Sequence, residues 1–120
     1  MASPADRTLE LMAHLVGFDT TSHLSNLDLI SFIEDYLARH GVPTQRIESD
    51  DGEKSNLLAT IGPQIAGGVV LSGHTDVVPV TGQDWSSDPF MLDTRTVDGE
   101  ERHFGRGTAD MKGFIAACLS

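Results

Sequence analysis

The feature that most constrains this chain is the run Gly67-Gly68-Val69-Val70-Leu71-Ser72-Gly73-His74-Thr75-Asp76. Three apolar residues behind a glycine pair read as a buried strand. Side chains alternate along an extended backbone, so His74 and Asp76 project to the same side at the strand's exit. An imidazole with a carboxylate beside it suits a metal ligand whose tautomer is held by its neighbour. Strand ends are also where open α/β sheets bind their ligands.

A chain of 120 residues with 39 % hydrophobic content is sized for one domain with a core. Its formal charge of −10 argues against nucleic acid or an anionic membrane as partner. The opening residues Met1 to Arg7 carry no secretory hydrophobic region, and no apolar run is long enough to span a bilayer. One cysteine, Cys118, excludes an intramolecular disulfide framework. These features together predict a cytoplasmic protein.

Local signals give the order of elements. Ser3 as N-cap, Pro4 at the first helical position and Asp6 in the first turn predict a helix start. Leu11, Met12, Leu15 and Val16 form its apolar face, and Gly17 is its stop. A polar link, Asp19-Thr20-Thr21-Ser22, leads to a second helix over 26–40 with Leu27, Ile30, Ile33 and Leu37 as its stripe. Strands are predicted over 42–47 and 56–61, followed by the strand that carries His74. Residues 91–104 read as a hairpin turning near Asp98-Gly99. A last helix starts at Met111, with Phe114, Ile115, Cys118 and Leu119 as apolar positions. The order predicts an α/β fold, a partial mixed sheet flanked by helices. That last helix reaches Ser120 without a stop signal, so residues 1–120 are expected to be the front part of a longer protein.

A second constellation lies downstream, Gly105-Arg106-Gly107-Thr108-Ala109-Asp110-Met111-Lys112-Gly113. Asp110 stands between a glycine-rich loop and a helix start, where small residues allow close backbone approach. His74 and Asp110 thus offer imidazole and carboxylate from two loops, a donor set that suits zinc, with cobalt or manganese as alternatives.

Three ordered motifs carry a resemblance. The run from Ser72 to Val80, the Trp85…Asp88-Pro89-Phe90 element and the run from Gly105 to Phe114 resemble the M20 family of metallohydrolases. Phe18-Asp19-Thr20-Thr21-Ser22 and Ser25-Asn26-Leu27 agree with it. The resemblance implies a dinuclear zinc hydrolase in which His74 is the terminal ligand of one metal. It implies that Asp76 orients His74 and that Asp110 bridges two ions, with a cis peptide after it. It also implies cleavage of a small N-acyl amino acid by a full-length homodimer. Within the family, the residues from Val80 to Trp85 lean toward deacetylation of N²-acetyl-L-ornithine in arginine biosynthesis. Desuccinylation of succinyl-diaminopimelate, carboxypeptidase action and a non-catalytic truncated product are the alternatives.

The resemblance also implies parts that residues 1–120 do not show. They are a Glu-Glu pair holding the general base and a ligand, a further acidic ligand, a distal histidine and a lid domain. Residues 1–120 alone are therefore expected to be inactive and to bind metal weakly. His14, His23, His40 and His103 are read as surface or capping residues, Cys118 as core, and Lys112 and Arg106 as solvated or structural. Gly105-x-Gly107 lacks the third glycine of a nucleotide loop, and Gly52-Glu53-Lys54-Ser55 lacks the upstream glycine of a phosphate loop.

Overall fold

The structure is a computed structural model describing residues 1–120. It holds helices α1 (Pro4–Gly17), α2 (Leu27–Arg39) and α3 (Gly113–Leu119). It also holds strands β1 (Thr44–Glu48), β2 (Ser55–Ala59), β3 (Asp93–Val97) and β4 (Glu100–Phe104). A kinked turn, Thr108–Lys112, in which Asp110 and Met111 have non-helical backbone angles, leads into α3. The class is α/β, as expected. Its pairing takes the form of two antiparallel ribbons, β1–β2 and β3–β4, and one parallel bridge between Thr21 and Val77.

Helix α1 starts where local chemistry starts it. Ser3 accepts the Asp6 amide through its hydroxyl at 3.1 Å, and the Asp6 carboxylate accepts the Ser3 amide at 3.0 Å. That reciprocal pair satisfies two amides the helix itself leaves free. Hairpin β3–β4 turns at Asp98-Gly99, where φ is 53° and 79°. Two successive positive φ values match the twist of the flanking strands, and glycine bears the second without a Cβ penalty.

The core is helical. Leu11, Met12, Leu15 and Val16 of α1 meet Leu29, Ile30 and Ile33 of α2 and Ala116 of α3, all buried. The expected α2 stripe is shifted: Leu29 is buried, whereas Leu27 and Leu37 are half-buried. Cys118 is exposed rather than core, because α3 turns the Ile115, Ala116 and Leu119 side toward the other helices. That orientation leaves Phe114 and Cys118 outward.

One local expectation is corrected. Residues 69–71 form no strand, and their side chains are exposed, Val69 by 86 % and Val70 by 88 %. A strand satisfies its backbone only through neighbours, and no second strand lies beside this run to pair with it. The molecule is accordingly flat, 47 × 40 × 24 Å, with a radius of gyration of 15.5 Å. A closed domain of this length would have a radius of roughly 13–14 Å.

Candidate metal centre

Residues 73–77 are held by side chains rather than by a sheet. The Thr20 hydroxyl donates to Thr75 O at 2.6 Å, and Asn26 Nδ2 donates to Thr75 Oγ1 at 2.9 Å. Backbone bonds run from Val77 N to Thr20 O at 3.1 Å and from Ser22 N to Val77 O at 3.0 Å. The His74 amide donates to Met111 Sδ at 3.3 Å. Gly73 sits so close to Ile115 and Met111 that an added Cβ would lie 3.2 Å from each side chain. The polar link after α1 therefore fixes the segment that carries His74.

The second half of the site is fixed from the same place. Gly107 has φ 89°, and a Cβ there would lie 2.9 Å from Val77 Cγ1. Only glycine meets both conditions. Lys112 is fully buried and donates from Nζ to Phe18 O at 2.7 Å. Burial pushes its ammonium down to about 8, against the opposing attraction of Asp19. The Asp110–Met111 peptide bond is cis, in agreement with what the resemblance implies.

These two supports bring His74, Asp76 and Asp110 together. His74 Nε2 lies 2.8 Å from Asp110 Oδ1, and His74 Nδ1 lies 3.2 Å from Asp76 Oδ1 and 3.0 Å from Asp76 O. Asp76 Oδ2 accepts the Ser22 hydroxyl at 2.5 Å. A cleft of about 240 Å³ opens between the His74–Val78 segment and the Gly105–Asp110 loop. Arg106 lines it with its guanidinium 5.1 Å from the Trp85 ring centre and bonded to the Gln83 side chain.

Donor chemistry decides what fits between His74 and Asp110. A backbone carbonyl only accepts, so Nδ1 carries a proton toward Asp76. Nε2 then faces a carboxylate oxygen, which also only accepts, so positive charge must sit between them. At this spacing that charge is a proton; a zinc-type cation ligated by both atoms would part them by a few tenths of an ångström. With a proton, the Asp110 hydrogen bond raises the His74 pKa above its ordinary value, with burial opposing. The hydrogen bond from Ser22 holds the Asp76 carboxyl below the usual carboxylate range. An exposed carboxylate, an imidazole with its far nitrogen occupied and an open cleft fit a zinc-type cation. Two side-chain donors are a partial set, and no group of three histidine, cysteine or acidic side chains is placed to hold an ion.

The remaining expected side chains sit apart. His14 stacks on Phe32 with ring centres 5.0 Å apart, His40 Nδ1 lies 2.8 Å from Tyr36 O, and His103 Nδ1 lies 2.9 Å from Thr94 Oγ1. His23 is exposed. Asp19 to Ser22 reads from sequence as a polar connector, whereas Thr20 and Ser22 bond directly to the segment that carries His74. The connector's sequence signals are three consecutive hydroxyl side chains, Thr20 to Ser22, inside a stretch that also agrees with the family resemblance.

Comparison with known proteins gives the site a lineage. Residues 70–120, which carry His74, Asp76 and Asp110, match the family model described as peptidase family M20/M25/M40. The chain is 43 % identical over 97 residues to acetylornithine deacetylase of Shigella sonnei (strain Ss046). That match covers 79 % of this chain and 24 % of the relative. It is 39 % identical over 115 residues to acetylornithine deacetylase of Pasteurella multocida (strain Pm70), covering 90 % of this chain and 29 % of that one. The chain thus spans about a quarter of the length of the curated relatives it matches. The motif order, the family match over residues 70–120 and these relatives agree in likening the chain to peptidase family M20/M25/M40.

Proposed function

We propose that this chain is the N-terminal part of the catalytic domain of a metal-dependent amide hydrolase. Its reaction is removal of the acetyl group from N²-acetyl-L-ornithine, giving L-ornithine and acetate, a step of arginine biosynthesis. The observation that carries the reading is the 2.8 Å approach of His74 Nε2 to Asp110 Oδ1 across the cleft, inside the segment that matches the family. His74 and Asp110 are the residues that would hold zinc, two ions in the complete site, with cobalt able to take its place. Such ions supply Lewis acidity to an amide carbonyl and acidify a water.

The chain's own side chains prepare that chemistry. Asp76 holds the Nδ1 proton of His74 and so presents Nε2 to the cleft as a donor atom. Asp110 contributes negative charge from an exposed position on the opposite wall. The general base, the further ligands, the lid and the homodimer contacts are assigned to sequence outside residues 1–120. A positioned acid or base is worth ~10²–10⁴-fold in rate, so residues 1–120 alone are inactive. The substrate is a small N-acyl amino acid, with neither nucleic acid nor membrane as partner, and the location is cytoplasmic. No helix is long and apolar enough to cross a membrane.

The test is a side-by-side rate measurement on the complete zinc-loaded protein with N²-acetyl-L-ornithine and N-succinyl-diaminopimelate. Preference for the acetyl substrate is expected. Preference for the succinyl substrate would move the assignment to that alternative within the family, and inertness toward both with metal bound would remove it.

A further inference from the structure

A carboxylate that orients a histidine must itself be oriented. The side chain of Asp76 is half exposed, and rotation of a carboxylate about its last bond is soft. Oδ1 lies 3.2 Å from His74 Nδ1, beside the Asp76 backbone carbonyl that takes the ring hydrogen bond at 3.0 Å. That contact alone leaves the other carboxylate oxygen free to turn toward water. Here the second oxygen is taken by Ser22 Oγ at 2.5 Å. Ser22 Oγ also lies 3.3 Å from Val77 O, but a hydroxyl has one proton, and the shorter contact to a charged acceptor claims it.

Ser22 is in turn held by its backbone. Its amide donates to Val77 O at 3.0 Å, and its carbonyl accepts from Lys54 Nζ. The serine is thus a fixed donor 54 positions away in sequence from the carboxylate it meets. A continuous line of contacts results: Ser22 to Asp76, Asp76 to His74, and His74 to Asp110.

We propose that Ser22 is a positioning residue for the metal centre: by holding Asp76 Oδ2 it sets the carboxylate whose Oδ1 faces His74 Nδ1, and so aims Nε2 into the cleft. The inference rests on the proposed function for its metal-holding role, while the contacts stand by themselves. It requires that Ser22 act through Asp76 and not merely support the link after α1.

Zinc affinity of the full-length protein, measured by competition with a chromophoric chelator, tests this without relying on turnover. Ser22→Ala and Ser22→Cys are each expected to weaken zinc binding by about tenfold, the lower end of what loss of such a partner costs. Ser22→Thr, which keeps the hydroxyl, should restore it. In an Asp76→Ala background, Ser22→Ala should cost nothing further, because its acceptor is already gone. Full additivity of the two changes would overturn the proposal, as would unchanged affinity in Ser22→Cys. Ser3→Ala, which removes the α1 cap and no contact with the site, should lower the unfolding midpoint with little change in affinity. If acetylated ornithine is not hydrolysed but the coupling between Ser22 and Asp76 holds, the substrate assignment falls and this proposal stands.

Discussion

Two stretches of similar apolar character meet opposite fates in this molecule. Leu15, Val16 and Leu29 of the helical layer are 0 % exposed, while Val70 is 88 % exposed and Leu71 64 %. The difference lies in what each element needs from its surroundings. A helix closes its backbone hydrogen bonds within itself, so one apolar partner face suffices. An extended run needs backbone on its flanks before its side chains gain anything from burial. Helices α1 and α2 are therefore satisfied early in the chain, and residues 69–71 are not.

That contrast is sharpest in the core. Leu15→Ala should destabilise by about 2–5 kcal/mol through lost transfer energy and a residual cavity, read as a fall in the urea midpoint. A loss below about 0.5 kcal/mol would mean that the helical layer is less closed than its burial indicates.

Two cations, buried Lys112 and exposed His74, should respond to pH in opposite senses. Lys112 is held near 8 when folded against an ordinary 10.5, so between those values the unfolded chain binds more protons. Stability should rise from about pH 8 toward 10.5, and Lys112→Met should flatten that limb. His74 has a raised folded value, so its contribution is fully present below its ordinary 6.5 and is lost as pH rises through the raised one. His74→Asn should abolish that fall. An unchanged profile in either variant would detach that residue from the pH dependence.

Ser3→Ala should cost about 1 kcal/mol, the worth of a lost N-cap, measured by thermal or urea unfolding. Val70→Lys should leave the unfolding midpoint within about 0.5 kcal/mol, as for surface changes generally. It should also reduce self-association on light scattering, because an open apolar run is a template for pairing between chains. A large loss of stability in Val70→Lys would show that residues 69–71 are packed after all, and the contrast with α1 would fail.

What could be read from the sequence follows the range of the forces involved. The Ser3–Asp6 box and the Asp98-Gly99 turn were legible because their partners lie within three residues of each other. The faces of α1 and α2 were legible to within one position, since 3.6-residue periodicity names a side but not its centre. Leu29 was missed for that reason. His74, Asp76 and Asp110 were legible as chemical types in motif order. The distance between His74 and Asp110 was not, being the product of contacts many residues apart. Ser22 was legible as part of a matching stretch, but its contact with Asp76, 54 positions away, was not. The fate of residues 69–71 depends on backbone neighbours that an apolar pattern cannot name.

The carbonyl of Phe18 that receives Lys112, the Thr20 atoms that hold Thr75 and Val77, and the Ser22 hydroxyl on Asp76 all lie within five consecutive residues. Both walls of the cleft are therefore measured from one short ruler at the end of α1. A shift of that ruler, by an insertion in α1 or a loosened cap, would carry both walls along together. The spacing between them would survive changes that alter where the site sits on the molecule. Bulk changes within α1 differ, because Val16 lies against Gly105 and Met12 against Gly113 and so reach one wall alone.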